Sequence, residues 1–463
     1  MKLETRSDSR EKSPVFYTGC VSNVLFPIHE YLKKHTSVRV RKSMEQTQWF
    51  SPEKLAQLQL EKLRQLLISA NAHVPYYQKL FAGLNFHPEQ FNVLTDLQRL
   101  PFLDKPTIRS HLEDLKSDRA QGLARFNTGG SSGEPLVFFI GRERVSHDIA
   151  AKWRATRWWG VDIGDPEIVV WGSPIELGAQ DMLRVWRDRL FRSKLLPAFE
   201  MSDQKLTDFL ATIRKFRPKM LFGYPSALSH MAKYADKSDI TMRGTGIKVA
   251  FVTSERLYDD QRKQIGDTFG CPVANGYGGR DAGFIAHECP AGGMHITAED
   301  IIVEIIDSQG HSLPCGESGE IVVTHLASGD FPFIRYRTGD VGMLDDRVCD
   351  CGRGLPLIRE IQGRSTDFVV ASDGTVMHGL ALIYILRDRP EIKVFKITQE
   401  NPGLTRVQIV TETGLSPSQT GQIIDAFQAR LGRDVKIEVE QVSEIPAEKS
   451  GKFRYVVSRV AGI

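Results

Sequence analysis

Between residues 167 and 324 the sequence alternates short apolar runs with amphipathic stretches, and nothing else in the chain limits its fold as strongly. The runs Glu167 to Trp171, Lys219 to Phe222, Ile247 to Thr253, Ile301 to Ile306 and Ile321 to Thr324 have the length of strands. Between the early ones, Asp203 to Phe216 and Ser226 to Ala235 carry apolar residues at helical spacing. Strands alternating with crossover helices predict α/β layering. After residue 362 the pattern changes. Strands are expected at Val394 to Ile397, Arg406 to Thr411 and Val435 to Val439, with one helix after Ser416-Pro417 that presents Ile423, Ile424, Phe427 and Leu431 on one stripe. This reads as a small α+β domain of about 100 residues. Upstream, Ser51-Pro52-Glu53 is a helix start, with an N-cap, proline in the first turn and an acid behind it, continued by Leu60, Leu63 and Leu67. Residues 1–50 are polar and are expected to form an irregular extension.

Charge and apolar patterning exclude several classes of partner. The 463 residues hold 60 Lys and Arg against 57 Asp and Glu, a net charge of +3, so a nucleic-acid polyanion is not the expected ligand. No apolar run reaches the roughly 18 residues of a membrane span, and Met1 to Asp8 has no signal-peptide core. The expected location is cytoplasmic, where the six cysteines are poor disulfide candidates.

Five short motifs carry the chemistry. Asn127-Thr128-Gly129-Gly130-Ser131-Ser132-Gly133-Glu134-Pro135 combines three glycines with hydroxyl donors, a composition that suits a loop holding phosphate oxygens, although no Gly-Lys-Ser/Thr follows it. Asn275-Gly276-Tyr277-Gly278-Gly279-Arg280-Asp281 offers an aromatic ring to stack on a base and, four residues on, a carboxylate for magnesium. Arg335-Tyr336-Arg337-Thr338-Gly339-Asp340 ends in a carboxylate able to accept both hydroxyls of a ribose. Gly363-Arg364 and Lys449-Ser450-Gly451-Lys452 follow.

In this order the motifs resemble those of the adenylate-forming enzymes (acyl-CoA synthetases, luciferase and peptide-synthetase adenylation domains). The likeness is greatest to the phenylacetate–CoA ligase branch with its capsule-biosynthesis homologues. Asn71-Ala72-His73-Val74-Pro75-Tyr76-Tyr77, Leu100-Pro101-Phe102-Leu103-Asp104-Lys105 and His287-Glu288-Cys289 add to it, so the resemblance spans nearly the whole chain. It implies a large multi-layer ATP- and acid-binding domain over residues 1–364 and a mobile α+β domain over 365–463, pivoting just after Gly-Arg at Ser365-Thr366-Asp367. It also implies ATP-dependent activation of a carboxylic acid to an acyl-adenylate with release of pyrophosphate, then transfer to coenzyme A. Transfer to an amine, a hydroxyl or a carrier protein is the alternative, and a retired nucleotide-binding homologue a third.

Carried over by motif, Thr128, Gly130, Ser131, Ser132 and Gly133 would close on the β- and γ-phosphates. Ser254 and Glu255 would border the adenine, and Asn275, Gly276, Tyr277 and Gly278 would line the adenine and acyl sites. Asp340, assisted by Arg364, would hold the ribose, and Lys452 would contact the α-phosphate and the acid. A compact ammonium on a long stem suits that reach from a mobile domain. Trp153, Trp158, Trp159 and Trp171, with Gly223 to Ser226, lie where the family builds its acid cavity; plain core aromatics are the alternative. The family usually has Ser/Thr-Glu where Arg280-Asp281 stands. The shorter Asp281 carboxylate would reach magnesium through water, and a structural salt bridge is its other reading.

Cys289, His295, Cys349 and Cys351 supply three thiolates and one imidazole, a closed tetrahedral set for structural zinc. Free thiols in loops are the other reading, and Cys315 is an alternative fourth ligand to His295.

Overall fold

The computed structural model describes residues 12–127, 136–171, 182–198, 201, 203–364, 368–373, 376–378, 380–387, 389–412, 414–445 and 455–460. Among these, eleven strands form one mixed sheet. Its first half is parallel: Ser193–Pro197, Glu167–Trp171, Met220–Gly223, Val249–Thr253 and Val273–Gly279 lie side by side. At Val273–Gly279 the direction reverses. Gly283–Glu288 pairs antiparallel with it, and Met294–Ile296, Leu357–Arg364, Tyr336–Asp345, Ser318–His325 and Ile301–Ile306 complete the antiparallel half. The expected strands and crossover helices are all present, with Glu167–Trp171, Ile301–Ile306 and Asp203–Phe216 found with the same ends as read from the sequence.

Apolar side chains explain the layers. Helices Asp203–Phe216, Pro225–Lys237 and Asp259–Phe269 bury Leu206, Leu210, Ile213, Leu228, Met231 and Ile265 against Ile168, Leu221, Ala250 and Val252 of the parallel strands. Helices Pro52–His73 and Pro75–Gly83 place Leu63, Leu67 and Phe81 in a larger core with Ile285, Ile321 and Phe333 from the antiparallel half. Ser51 caps the first of them, its side chain accepting from the Lys54 N–H, as the sequence implies. Beyond Arg364 a separate four-stranded sheet carries helices Leu380–Arg387 and Pro417–Leu431, with Ile423, Phe427 and Leu431 buried.

The irregular extension expected over residues 1–50 is not what the described part forms. Helices Lys12–Cys20, Phe26–Leu32 and Ser37–Thr47, with a π-helical turn at Val21–Leu25, fill most of it. Val40 and Met44 pack on Ala150 and Ala151 of the helix Arg142–Trp158, and the Arg41 guanidinium lies 4.4 Å from the Trp153 ring centre. The pattern misled because much of the inward face is polar. Glu30 is 2% exposed, accepting from Ser37 Oγ at 2.7 Å and pairing with His29 and His35. A buried carboxylate with all its partners supplied holds these helices as firmly as an apolar residue would, without an apolar signature.

Met44→Ala tests this docking. The substitution is expected to destabilise the protein by about 2–4 kcal/mol in chemical denaturation, whereas a side chain on an irregular extension would cost under about 0.5 kcal/mol.

Candidate functional site

The site lies at the reversal in the sheet, where the carboxyl ends of the parallel strands open beside the first antiparallel pair. Val273–Gly279 supplies the Asn-Gly-Tyr motif, and its glycines answer to crowding. A Cβ on Gly276 would lie 2.8 Å from Phe251 Cε1, and one on Gly278, at a bulge in the pairing, 2.2 Å from the Gly283 carbonyl oxygen. The Asn275 N–H donates to Glu288 Oε2 at 2.8 Å, and the same oxygen accepts from Arg262 Nη2 at 2.9 Å. Glu288 therefore fixes the strand that carries Tyr277, a role the sequence does not announce.

Three motifs far apart in sequence meet here. The Tyr277 hydroxyl donates to Asp340 Oδ2 at 2.9 Å, and Asp340 stands opposite Arg364 in the pairing of their strands. Asp340 is held from behind by its own N–H, which donates to Thr338 Oγ1 at 3.0 Å. Asp281 is 8% exposed. Its Oδ2 accepts from the Tyr336 hydroxyl at 2.7 Å and its Oδ1 from the Ala282 N–H at 3.1 Å. No salt bridge to Asp281 accompanies these bonds among the described residues; the Arg144 guanidinium, which donates to the Arg280 carbonyl at 3.0 Å, contributes only a favourable field. Arg335 anchors the block, forking onto Glu304 at 2.9 and 3.1 Å and donating to the Leu100 carbonyl at 2.7 Å. The Leu103 N–H donates to the Arg335 carbonyl at 3.0 Å and the Leu103 carbonyl accepts from the Arg337 N–H at 2.9 Å, which joins the Leu100-Pro101-Phe102 motif to the site.

Ser254 follows the strand Val249–Thr253 with φ of +71°, a left-handed conformation that a non-glycine residue adopts only where its surroundings enforce it. Glu255 Oε2 accepts from the Ser226 N–H at 3.2 Å, at the start of the helix Pro225–Lys237. The tryptophans separate. Trp171 stacks on Tyr224 with ring centres 4.2 Å apart, whereas Trp153 packs against Phe26 of the N-terminal helices. Trp159 Nε1 donates to the Glu288 carbonyl at 3.0 Å, and Trp158 lies edge-on to His295. His287 sits opposite Gly276 in the pairing and is fully buried between Phe251 and Phe284. Burial lowers its pKa to about 3, so the ring is neutral, and neither nitrogen has a hydrogen-bond partner among the described residues. Thr128, Gly130, Ser131, Ser132, Gly133 and Lys452, together with the Arg364 side chain, lie outside the described residues.

The four metal-type residues do converge. Cys289 Sγ and Cys349 Sγ are 3.6 Å apart, His295 Nε2 and Cys351 Sγ 3.1 Å, and all four donor atoms lie within 4.8 Å of one another. Tetrahedral zinc with bonds of about 2.3 Å to sulfur would set sulfurs roughly 3.8 Å apart, so the set fits that ion. His295 Nδ1 lies 3.2 Å from the Leu355 carbonyl, an outer bond that aims Nε2 at the thiols. Burial pushes the Cys289 thiol up to about 12 and the His295 imidazole down to about 4. A bound cation would reverse the first by favouring the thiolate. Cys315 is exposed and outside the group.

The large mixed sheet and the appended four-stranded sheet have the fold of the adenylate-forming CoA ligases. A crystal structure of 2-hydroxyisobutyryl-CoA ligase in the postadenylation state, in complex with R3-HIB-AMP, matches with a TM-score of 0.72 at 21% identity, over 88% of this chain and 90% of that one. Homologues of the chain include CapK and phenylacetate–CoA ligases. Protein CapK of Staphylococcus aureus is 22% identical over 88% of this chain and 90% of its own, and the phenylacetate–coenzyme A ligase of Thermus thermophilus is 27% identical over 69% and 72%. A family model described as the CapK C-terminal domain matches residues 369–459.

Tyr336→Phe is expected to lower stability by about 1–3 kcal/mol, because it leaves the buried Asp281 carboxylate without its hydroxyl donor. Guanidinium denaturation of the two proteins reads the difference.

Proposed function

We propose that the chain is an ATP-dependent, AMP-forming acid–thiol ligase, which activates a carboxylic acid to an acyl-adenylate and passes the acyl group to coenzyme A. The observation that carries this reading is the Tyr277–Asp340 hydrogen bond with Arg364 opposite in register, which brings three motifs together where the sheet changes direction. The tyrosine ring offers a stacking face and the carboxylate accepts from a ribose diol. The loop from Thr128 to Gly133 would hold the β- and γ-phosphates. Bringing a carboxylate to the α-phosphate joins two anions, so the residues act mainly by positioning and by neutralising charge. Lys452 would supply the local cation from the C-terminal domain, whose pivot we assign just after Arg364.

Magnesium would be held near Asp281. Both of its oxygens already accept one hydrogen bond, and a hard cation that keeps most of its waters and shares the substrate phosphates fits such a carboxylate through a water. When bound, the ion would offset phosphate charge. The Cys289, His295, Cys349 and Cys351 set would hold a structural zinc, since four protein donors leave no position for a reacting group. Among the described residues no helix is long and apolar enough to cross a membrane, and we place the enzyme in the cytoplasm.

ATP–pyrophosphate exchange over a panel of carboxylic acids tests the first half-reaction: at least one acid should drive exchange, and Lys452→Ala should slow it by about 10²–10³-fold. Silence with every acid would favour a retired nucleotide-binding protein. Coenzyme A added to an active mixture should yield a thioester; adenylate formation without thioester would direct the acyl group to another nucleophile. Elemental analysis should find zinc stoichiometric with the chain and lost on Cys349→Ser.

A further inference from the structure

The N-terminal helices are apolar on their outer face. In the continuous helical segment from Lys12 to Leu32, Val21, Ser22, Phe26 and Glu30 are buried, while Phe16, Val24, Ile28, Tyr31 and Leu32 face outward. Phe16 and Tyr31 are each 81% exposed and Leu32 75%, far beyond a scattered surface hydrophobe. The helix Met182–Leu190 continues the surface with Trp186, 66% exposed, and Leu190. The two segments are joined: the Tyr17 hydroxyl donates to the Leu190 carbonyl at 2.8 Å, and the Phe26 and Phe191 rings meet edge to face at 5.6 Å. Seven of the twelve large apolar side chains that stand exposed among the described residues belong to this one surface.

Its charge is mostly positive. Lys33 and Lys34 just after the first segment and Arg189 and Lys194 in and just beyond the second are exposed, and between residues 184 and 194 five Arg and Lys stand against the single acid Asp188, which pairs with Arg187, in a chain whose overall balance is only +3. We propose that this face docks on an anionic lipid bilayer. Apolar side chains would enter the acyl boundary, Tyr31 and Trp186 would lie at headgroup level, and the cations would meet lipid phosphates. A second copy of the chain is the less suitable occupant. A two-fold contact sets the same patch against itself and would bring these lysines and arginines face to face.

Flotation of the full-length protein with vesicles of phosphatidylcholine, with and without phosphatidylglycerol, decides the matter. Binding is expected only to the anionic vesicles, falling as salt rises. Ile28→Glu combined with Leu32→Glu should abolish it, and Lys33→Glu with Lys34→Glu and Arg189→Glu should weaken it by more than about tenfold, both with an unchanged melting temperature because the positions are exposed. Equal binding to both vesicle types, no flotation, or binding indifferent to both variants overturns the proposal. So does a wild-type dimer in sedimentation velocity that the Ile28→Glu, Leu32→Glu protein fails to form.

Discussion

The strand Val273–Gly279 bonds in parallel with Val249–Thr253 and antiparallel with Gly283–Glu288, and this reversal fixes where the motif residues meet. Parallel strands release their loops at one end of the sheet, so Trp171, Tyr224, Ser254 and Tyr277 gather there. The antiparallel half folds back alongside and brings Asp340 within reach of the Tyr277 hydroxyl. Neither half alone has both the aromatic and the carboxylate.

The reversal is held from its far end by the sulfur cluster. Gly283–Glu288 runs straight into Cys289, and Met294–Ile296 carries His295 back beside it, pairing through His287 and His295. Cys349 and Cys351 come from the loop between two further strands. An ion bound there would tie two connections and the strand Met294–Ile296 of the antiparallel half to the strand that braces Asn275 through Glu288. In a cluster of this kind the metal's contribution is to backbone position.

What was legible in the sequence, and what was not, follows from the range of the forces. Three of the five parallel strands and two of their helices are legible because burial imposes apolar periodicity, as in Asp203–Phe216, whereas Ser193–Pro197, Val273–Gly279 and the helix Asp259–Phe269 are not. The metal-type quartet was readable from residue chemistry, since cysteine and histidine have few other reasons to cluster. The glycine-rich stretch at 276–279 looks like a loop and proves to be a strand, with glycine present because Phe251 and the Gly283 carbonyl crowd it. The partners Tyr336 for Asp281 and Glu288 for Asn275 were hidden, for each is a tertiary contact with no local signal. The N-terminal helices lack a clean apolar stripe, because buried Ser22 and Glu30 share the inner face with Val21, Phe26 and Met44 while Phe16, Tyr31 and Leu32 face outward.

The contact between Gly276 and Phe251 also orders the routes by which this part of the sheet could change. With Phe251 in place, any side chain at position 276 collides with its ring. A smaller residue at 251 must come first, and until it is joined by a second change it leaves a cavity in the sheet's own core. The two positions are therefore epistatic: a side chain at 276 would be reached through a destabilised intermediate, and surplus stability elsewhere in the chain would decide whether that path is open.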